Sequence, residues 1–136
     1  MSKYIDSAKT EEILKNYIHL LNKKNTTESA IKKFLDGYTN NFDCSNRILL
    51  LLEMQKYAQF MFTSCGWFFD DISGLEATQI LKYAYYAIEL AKLYGADFEM
   101  EFIEQLKKAP SNISELNNGA AVFEKYVKPA RYGRKI

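Results

Sequence analysis

Apolar residues recur at intervals of three and four along most of the chain, the spacing that places them on one face of an α-helix. The first such segment covers residues 10–24, with Thr10 as the expected N-cap and two glutamates in the first turn. A second, shorter segment covers residues 28–38 and ends near Gly37. No segment alternates apolar and polar residues convincingly over the length of a strand. The pattern therefore predicts a helical protein.

The two most apolar helices are predicted in the middle of the chain. Residues 46–63 are apolar over most of a helix circumference, which is typical of a central helix. The next helix begins with a capping-box pattern formed by Ser73 and Glu76, and it stops at Gly95. Its apolar stripe contains small residues, and we expect another helix to approach it closely. The alanines of this stripe are Ala77, Ala84, Ala87 and Ala91.

Two further helices are predicted at residues 98–109 and 118–127, each followed by a proline that interrupts helical structure. Together these segments predict an all-α, single-domain bundle of five or six helices within residues 1–130. The expected parts are N-terminal helices at 1–43, a core at 44–130 and a basic tail at 131–136.

The loop between the two central helices, residues 63–76 and hereafter the motif loop, has an unusual composition. Trp67 is followed by two phenylalanines and then by Asp70 and Asp71. A connecting loop normally lies on the surface and is polar, so this aromatic run either turns back into the core or lines a surface that binds something. Both interpretations are open from the sequence alone.

The charge balance of the chain excludes several classes of function. The 136 residues carry a formal net charge of +1, with acids and bases interspersed, which argues against binding to nucleic acid or to an anionic membrane. The longest aliphatic run, residues 48–52, is far short of the ~20 residues that span a bilayer. Residues 1–12 lack the apolar core of a signal peptide. We therefore expect a soluble, cytoplasmic protein.

Two cysteines and one histidine give little basis for metal or redox chemistry. Cys44, Cys65 and His19 fall in different segments, so no metal-ligand spacing is present and no metal or cofactor is expected. Free cysteines are usually small buried apolar residues. Cys65 is a candidate reactive thiol only if a base or a positive charge lies beside it, and the sequence shows neither.

Several segments of the chain resemble one known family. The segments that carry the resemblance are 53–56 (EMQK), 62–76 (FTSCGWFFDDISGLE), 83–84 (YA), 87–91 (AIELA), 109–113 (APSNI) and 122–129 (VFEKYVKP). They are similar to the helical module called domain of unknown function 3536, which occurs in bacterial proteins whose other part resembles the catalytic barrel of glycoside hydrolase family 57. The similarity covers roughly residues 44–130, and CGWFF at 65–69 is its most specific part. The barrel and its catalytic carboxylates have no counterpart here.

The resemblance implies a non-catalytic accessory module, whose motif loop supports or lines an α-glucan site beside the barrel domain of a parent protein. An indole face suits the C–H surface of a sugar ring, and carboxylates accept hydrogen bonds from its hydroxyl groups. The chain alone is expected to be inactive, because adjacent carboxylates in one loop rarely achieve the geometry of a glycosidase pair. The expected substrate-binding residues are Trp67, Asp70, Asp71, Cys65, Ser64 and Thr63.

A second interpretation is a helical module that docks a protein or another domain and binds no sugar. Tyr83 and Tyr86 fall outside the main apolar stripe of the fourth predicted helix, and they are the expected interface residues. A second copy of the chain is one partner compatible with such a face, which makes the chain a candidate homo-oligomer. An aromatic stripe also has a purely structural explanation, since such residues are commonly part of the core.

Overall fold

The computed structural model describes residues 4–22, 27–39, 41–63 and 71–130, with only the main chain at residue 42. These ranges contain six α-helices and no strand, so the prediction of an all-α protein with five or six helices is confirmed. A single isolated β-bridge joins Pro110 and Asn118. The helices are α1 (Thr10–Leu21), α2 (Glu28–Asp36), α3 (Phe42–Phe60), α4 (Leu75–Lys92), α5 (Glu99–Leu106) and α6 (Gly119–Val122).

Residue contacts divide the chain into two compact units, residues 1–53 and 54–136. The N-terminal unit, residues 1–53, has its own hydrophobic core, built from α1, α2 and the first half of α3. Tyr17 is almost fully buried in this core, and its hydroxyl donates a hydrogen bond to the buried carboxylate of Glu53. This bond satisfies two polar groups that are costly to bury alone. The buried core residues are Ile5, Ile13, Tyr17, Leu20, Leu35, Ile48 and Leu52.

The starts of the first helices differ in detail from the sequence-based expectation. Thr10 is not the N-cap of α1, because a 3₁₀ turn (Ser7–Lys9) leads directly into the helix. The cap is placed earlier, where the Asp6 side chain accepts a hydrogen bond from the Ala8 amide at 3.1 Å. Helix α3 begins at Phe42, four residues before the predicted start, because the Asn41 side chain accepts hydrogen bonds from two amides of its first turn.

The C-terminal unit, residues 54–136, has a second core, which is centred on Phe123. This side chain is fully buried and makes edge-to-face contacts with Tyr85 of α4 and Phe102 of α5, at ring-centroid distances of 5.3 and 5.7 Å. Phe123 begins a π-helical segment (Phe123–Val127) that continues directly from α6. The buried residues of this core are Leu81, Leu106, Leu116, Ala120, Val122, Phe123 and Val127.

The predicted capping box at the start of α4 is wrong. Gly74 is the N-cap and makes no side-chain hydrogen bond, and the helix begins at Leu75. Ser73 is unavailable as a cap because its hydroxyl donates to the carboxylate of Asp71. The predicted stop is confirmed: Gly95 has a positive φ of 82°, and the Ala96 amide donates to the carbonyl of Ala91 at 3.2 Å.

The last two predicted helices are present but shorter or less regular than expected. Helix α5 ends at Leu106, three residues before the predicted end. The segment predicted at 118–127 is a single α-helical turn followed by the π-helical segment. Its start is as expected, since the Asn118 side chain accepts hydrogen bonds from the amides of Ala120 and Ala121, at 3.0 and 3.2 Å.

Candidate functional site

Only the two ends of the motif loop belong to the described part of the chain. Four of the six expected substrate-binding residues, Ser64, Cys65, Trp67 and Asp70, lie outside the described residues. Thr63 is exposed, and its hydroxyl donates to the carbonyl of Phe60 at 2.9 Å, which satisfies one of the free carbonyls at the end of α3. Asp71, at the other end, has a more extensive set of contacts.

The Asp71 carboxylate joins two loops that are 40 residues apart in sequence. From its own loop it accepts hydrogen bonds from the amide of Ser73, at 2.8 Å, and from the Ser73 hydroxyl. From the loop after α5 it accepts hydrogen bonds from the Asn112 amide and from the Ser111 hydroxyl, which lies 3.1 and 3.2 Å from the two carboxylate oxygens. Asp71 therefore anchors the start of α4 to the segment that precedes α6.

These hydrogen bonds lower the pKa of Asp71 to about 2, and the largest contribution comes from the Ser73 hydroxyl, followed by the Asn112 amide. Four donor groups meet a carboxylate that has about four lone-pair sites. The carboxylate is consequently ionised over the whole ordinary pH range and is already occupied by partners within the chain. Its immediate role in this structure is to position the backbone, and a sugar hydroxyl would have to compete with these donors.

Tyr83 and Tyr86, the expected interface residues, are half-buried in a cluster to which the described part of the chain contributes four aromatic rings. The Tyr86 ring lies edge-to-face on Tyr57 of α3 with a centroid distance of 4.4 Å, and Tyr83 lies 5.9 Å from the same ring. Phe60 completes the cluster at 5.4 Å from Tyr83. The tyrosines thus hold the end of α3 against α4, and a role in partner binding stays a prediction.

The C-terminal unit has a groove of about 450 Å³, hereafter groove 1, between the end of α3, α4 and α5. Three alanines of the α4 stripe, Ala84, Ala87 and Ala91, form one wall. The sequence predicts close approach of another helix at this stripe. Ala84 and Ala91 are buried there, and Ala87 is partly exposed to the groove. The other lining residues are Met54, Ala58, Met61, Ile88, Phe98, Glu101, Phe102 and Gln105.

A second groove of about 360 Å³, hereafter groove 2, shares Met61, Ala84 and Phe102 with groove 1. All the described residues that line it are apolar, and they include Phe62, which is 67% exposed. Both volumes fall in the range of ordinary binding clefts. The remaining lining residues are Ile72, Ala77, Ile80, Leu81, Leu106 and Ala109.

An ion-pair network lies at the end of α4. Glu99, whose side chain is 17% exposed, pairs with Lys92 and with Lys128, the latter at 2.7 Å. The hydrogen bond from Lys128, followed by that from Lys92, lowers the pKa of Glu99. The hydrogen bond to Glu99 is in turn the largest cause of the raised pKa of Lys92, whereas the pKa of Lys128 is raised first by its bond to Glu124 and then by its bond to Glu99. Glu89 and Glu124 extend the network, at 2.9 Å from Lys92 and 2.7 Å from Lys128 respectively.

Glu101 is different from the other two glutamates of α5. Glu99 belongs to the network described above, and Glu104 pairs with Lys107 at 2.6 Å. Glu101 lines groove 1 and, within the described ranges, makes no ion pair. Sequence reasoning missed the network, the grooves and the position of Glu101; the alanine stripe of α4 was the one signal that pointed toward the groove wall.

The described ranges contain neither a metal-binding group of side chains nor a membrane-spanning helix. No three His, Cys, Asp or Glu side chains there are grouped as metal ligands are. None of the helices there is both long enough and apolar enough to cross a bilayer.

Comparison with known proteins places the chain in one family. No curated protein and no solved structure matches it. The sequence profile of the family described as "Domain of unknown function (DUF3536)" matches residues 5–135. The match extends the resemblance seen at residues 44–130 to nearly the whole chain, including the helices of the N-terminal unit. The chain belongs to the DUF3536 family.

Proposed function

We propose that this chain is a non-catalytic accessory module that docks a neighbouring domain through groove 1. The observation that carries the proposal is the groove itself, an open apolar cleft of about 450 Å³ whose described lining residues include only one charged side chain, Glu101. Exposed apolar clefts of this kind are characteristic of interaction sites, because leaving them in water is unfavourable.

The partner in this proposal is an apolar helix of the barrel domain in a longer protein. The family-57-like barrel is the neighbour that the resemblance implies for such a module. Ala87, the partly exposed alanine of the groove wall, favours a helical partner, since a small side chain at a helix surface lets a second backbone approach closely. Nucleic acid and membrane are not partners in this proposal, and a cytoplasmic location stays a prediction from the sequence.

The α-glucan role of the motif loop is retained as the second candidate function. It draws on Trp67 and Asp70, since the two described residues of the expected set, Thr63 and Asp71, already bond within the chain. Groove 1 is a poor sugar site, because a sugar presents hydroxyl groups along its length and the described groove residues offer few polar partners. The docking role is therefore the one that the described geometry supports best.

Docking is tested by calorimetric titration of the chain with a separately produced barrel domain from a longer member of the family. In Ala87→Glu a carboxylate is placed in the apolar wall of groove 1. We expect this variant to bind at least about tenfold more weakly, because the new charge must be desolvated without a partner. The matched control is Leu75→Glu, at a position of α4 that is 79% exposed and outside both grooves. Equal affinity of Ala87→Glu and wild type would contradict the proposal.

Sugar binding is tested by the fluorescence of Trp67, the only tryptophan of the chain, during titration with malto-oligosaccharides. A saturable change supports the second candidate, and a folded protein without any change contradicts it for the chain alone. The control is Ser111→Ala, which weakens the anchoring of Asp71 and leaves both loop aspartates in place. Loss of the signal in Asp70→Ala is informative only if Ser111→Ala keeps it.

A further inference from the structure

We infer that the helix which occupies groove 1 carries a lysine or arginine beside its apolar face, and that this residue pairs with Glu101. The inference rests on the proposed docking function and adds the chemistry of the partner. It is argued from two observations, the charge of Glu101 at the groove and the small side chains of α4 in the groove wall.

Glu101 is well placed to meet a partner. It lies on α5 among three other groove residues, Phe98, Phe102 and Gln105. The ammonium group of Lys108 hydrogen-bonds to the side chain of Gln105, another groove residue, at 3.0 Å. Glu101 is exposed, and it makes no ion pair within the described ranges.

A helix that covers groove 1 removes water from around Glu101. Desolvation of a carboxylate is costly unless a hydrogen-bonding cation or donor replaces the lost water. A neutral apolar partner therefore leaves Glu101 with a penalty, whereas a lysine or arginine at the edge of the interface offsets it. An acidic partner adds repulsion to the same penalty. Groove 1 is thus expected to bind apolar helices with different affinities, according to the charge of the one residue that lies beside their apolar face and meets Glu101.

The wall opposite α5 favours a helix over an extended peptide. Ala84, Ala87 and Ala91 are spaced by three and four residues along α4, so they form a row of small side chains on one face. Ala84 and Ala91 are buried at the base of the groove, and Ala87 is the partly exposed member of the row. An extended peptide commonly docks by adding to the edge of a sheet, and the described ranges contain no strand to receive it. Helix-in-groove binding is the mode that this wall accommodates.

The test uses two synthetic amphipathic helices about 18 residues long. Both have the same leucine-rich apolar face, and they differ at one boundary position, which is lysine in one peptide and glutamine in the other. Fluorescence anisotropy with the full chain measures their affinities. We expect the lysine peptide to bind about two- to fivefold more tightly, the range for a single solvent-accessible ion pair.

Variants of the chain assign the difference to one side chain. Glu101→Gln is expected to abolish the preference for lysine. A third peptide, with glutamate at the boundary position, is added for Glu101→Lys, which is expected to bind this peptide more tightly than the lysine peptide. The matched control, Glu104→Gln, removes a carboxylate of α5 that pairs with Lys107 and does not line groove 1. This control is expected to keep the wild-type ratio of affinities.

Each outcome has a definite meaning. Equal affinities of the two peptides for the wild-type chain overturn the charge inference and leave the docking proposal standing, provided that Ala87→Glu weakens both. A preference that persists in Glu101→Gln also overturns the inference. If none of the peptides binds, or if binding is unaffected by Ala87→Glu, groove 1 is not a site for an amphipathic helix and both proposals fail.

Discussion

Gly119 lies at a contact where an added methyl group has no room. A Cβ atom at this position would lie 2.7 Å from Cδ1 of Ile72 and 3.0 Å from the carbonyl oxygen of Leu106. The Gly119 amide donates to the carbonyl of Ala109 at 2.8 Å, so the backbone is held where the clash occurs. Ile72 and Leu106 also line groove 2, and this close packing therefore supports the groove wall.

We expect Gly119→Ala to destabilise the protein by a net ~0.5–2 kcal/mol. Overpacking of a well-packed contact costs about 1–3 kcal/mol, while the lower chain entropy of alanine in a helix returns about 0.5–1 kcal/mol. Ile72→Val deletes the methyl group that is nearest to the new Cβ. Alone, this change creates a small cavity and costs about 0.5–1.5 kcal/mol.

The double variant separates a steric clash from a general intolerance of substitution. If Cδ1 of Ile72 is the main obstacle, Gly119→Ala together with Ile72→Val is less destabilised than the sum of the single variants by about 1 kcal/mol. Urea unfolding followed by circular dichroism measures all four free energies, and m-values that do not change validate the comparison. Single-variant losses that add within about 0.3 kcal/mol would refute the geometric reasoning.

Three further predictions concern the other contacts. The lowered pKa of Asp71 contributes stability that is fully present at pH values above the pKa of the unfolded state, near 3.8, and is lost as the pH falls toward about 2. Asp71→Asn is therefore expected to remove this part of the acid dependence of the melting temperature. An unchanged acid profile would contradict the prediction. Glu99→Gln is expected to cost about 1–2 kcal/mol in urea unfolding, because Lys92 and Lys128 lose a shared anion; a loss as small as that of Glu104→Gln would count against it. Asn118→Ala is expected to cost about 1 kcal/mol and Asn118→Ser less, since serine still caps α6; equal losses for the two would argue against the capping role.

The existence of the helices follows from local sequence, while their ends depend on particular hydrogen bonds. The apolar spacing in α1 to α5 and the stop at Gly95 were sufficient to predict the helical elements. The start of α4 was not predictable in detail, because the sequence allows the Ser73 hydroxyl either to cap the helix or to donate a hydrogen bond to a nearby carboxylate. In the structure the Ser73 hydroxyl donates to the Asp71 carboxylate, which also accepts hydrogen bonds from Ser111 and Asn112.

The candidate site was predictable only where neighbours in sequence are neighbours in space. The alanine stripe of α4 was visible from periodicity, and it forms a wall of groove 1. The pairing of Glu99 with Lys128 joins residues far apart in the chain, so no local pattern predicts it. The sequence of α5 likewise does not show which of its three glutamates lines groove 1. Tertiary packing makes that choice. It also places Tyr83 and Tyr86, the expected interface residues, in a half-buried cluster with Tyr57.

The central claim, that groove 1 receives a neighbouring domain, is tested most directly by NMR of the methionine methyl groups. Met54 and Met61 line groove 1, whereas Met100 is 71% exposed on α5 and lines neither groove. On addition of the barrel domain, the signals of Met54 and Met61 are predicted to shift while that of Met100 stays in place. Shifts confined to Met100, or saturated binding that leaves Met54 and Met61 unchanged, would contradict docking in the groove.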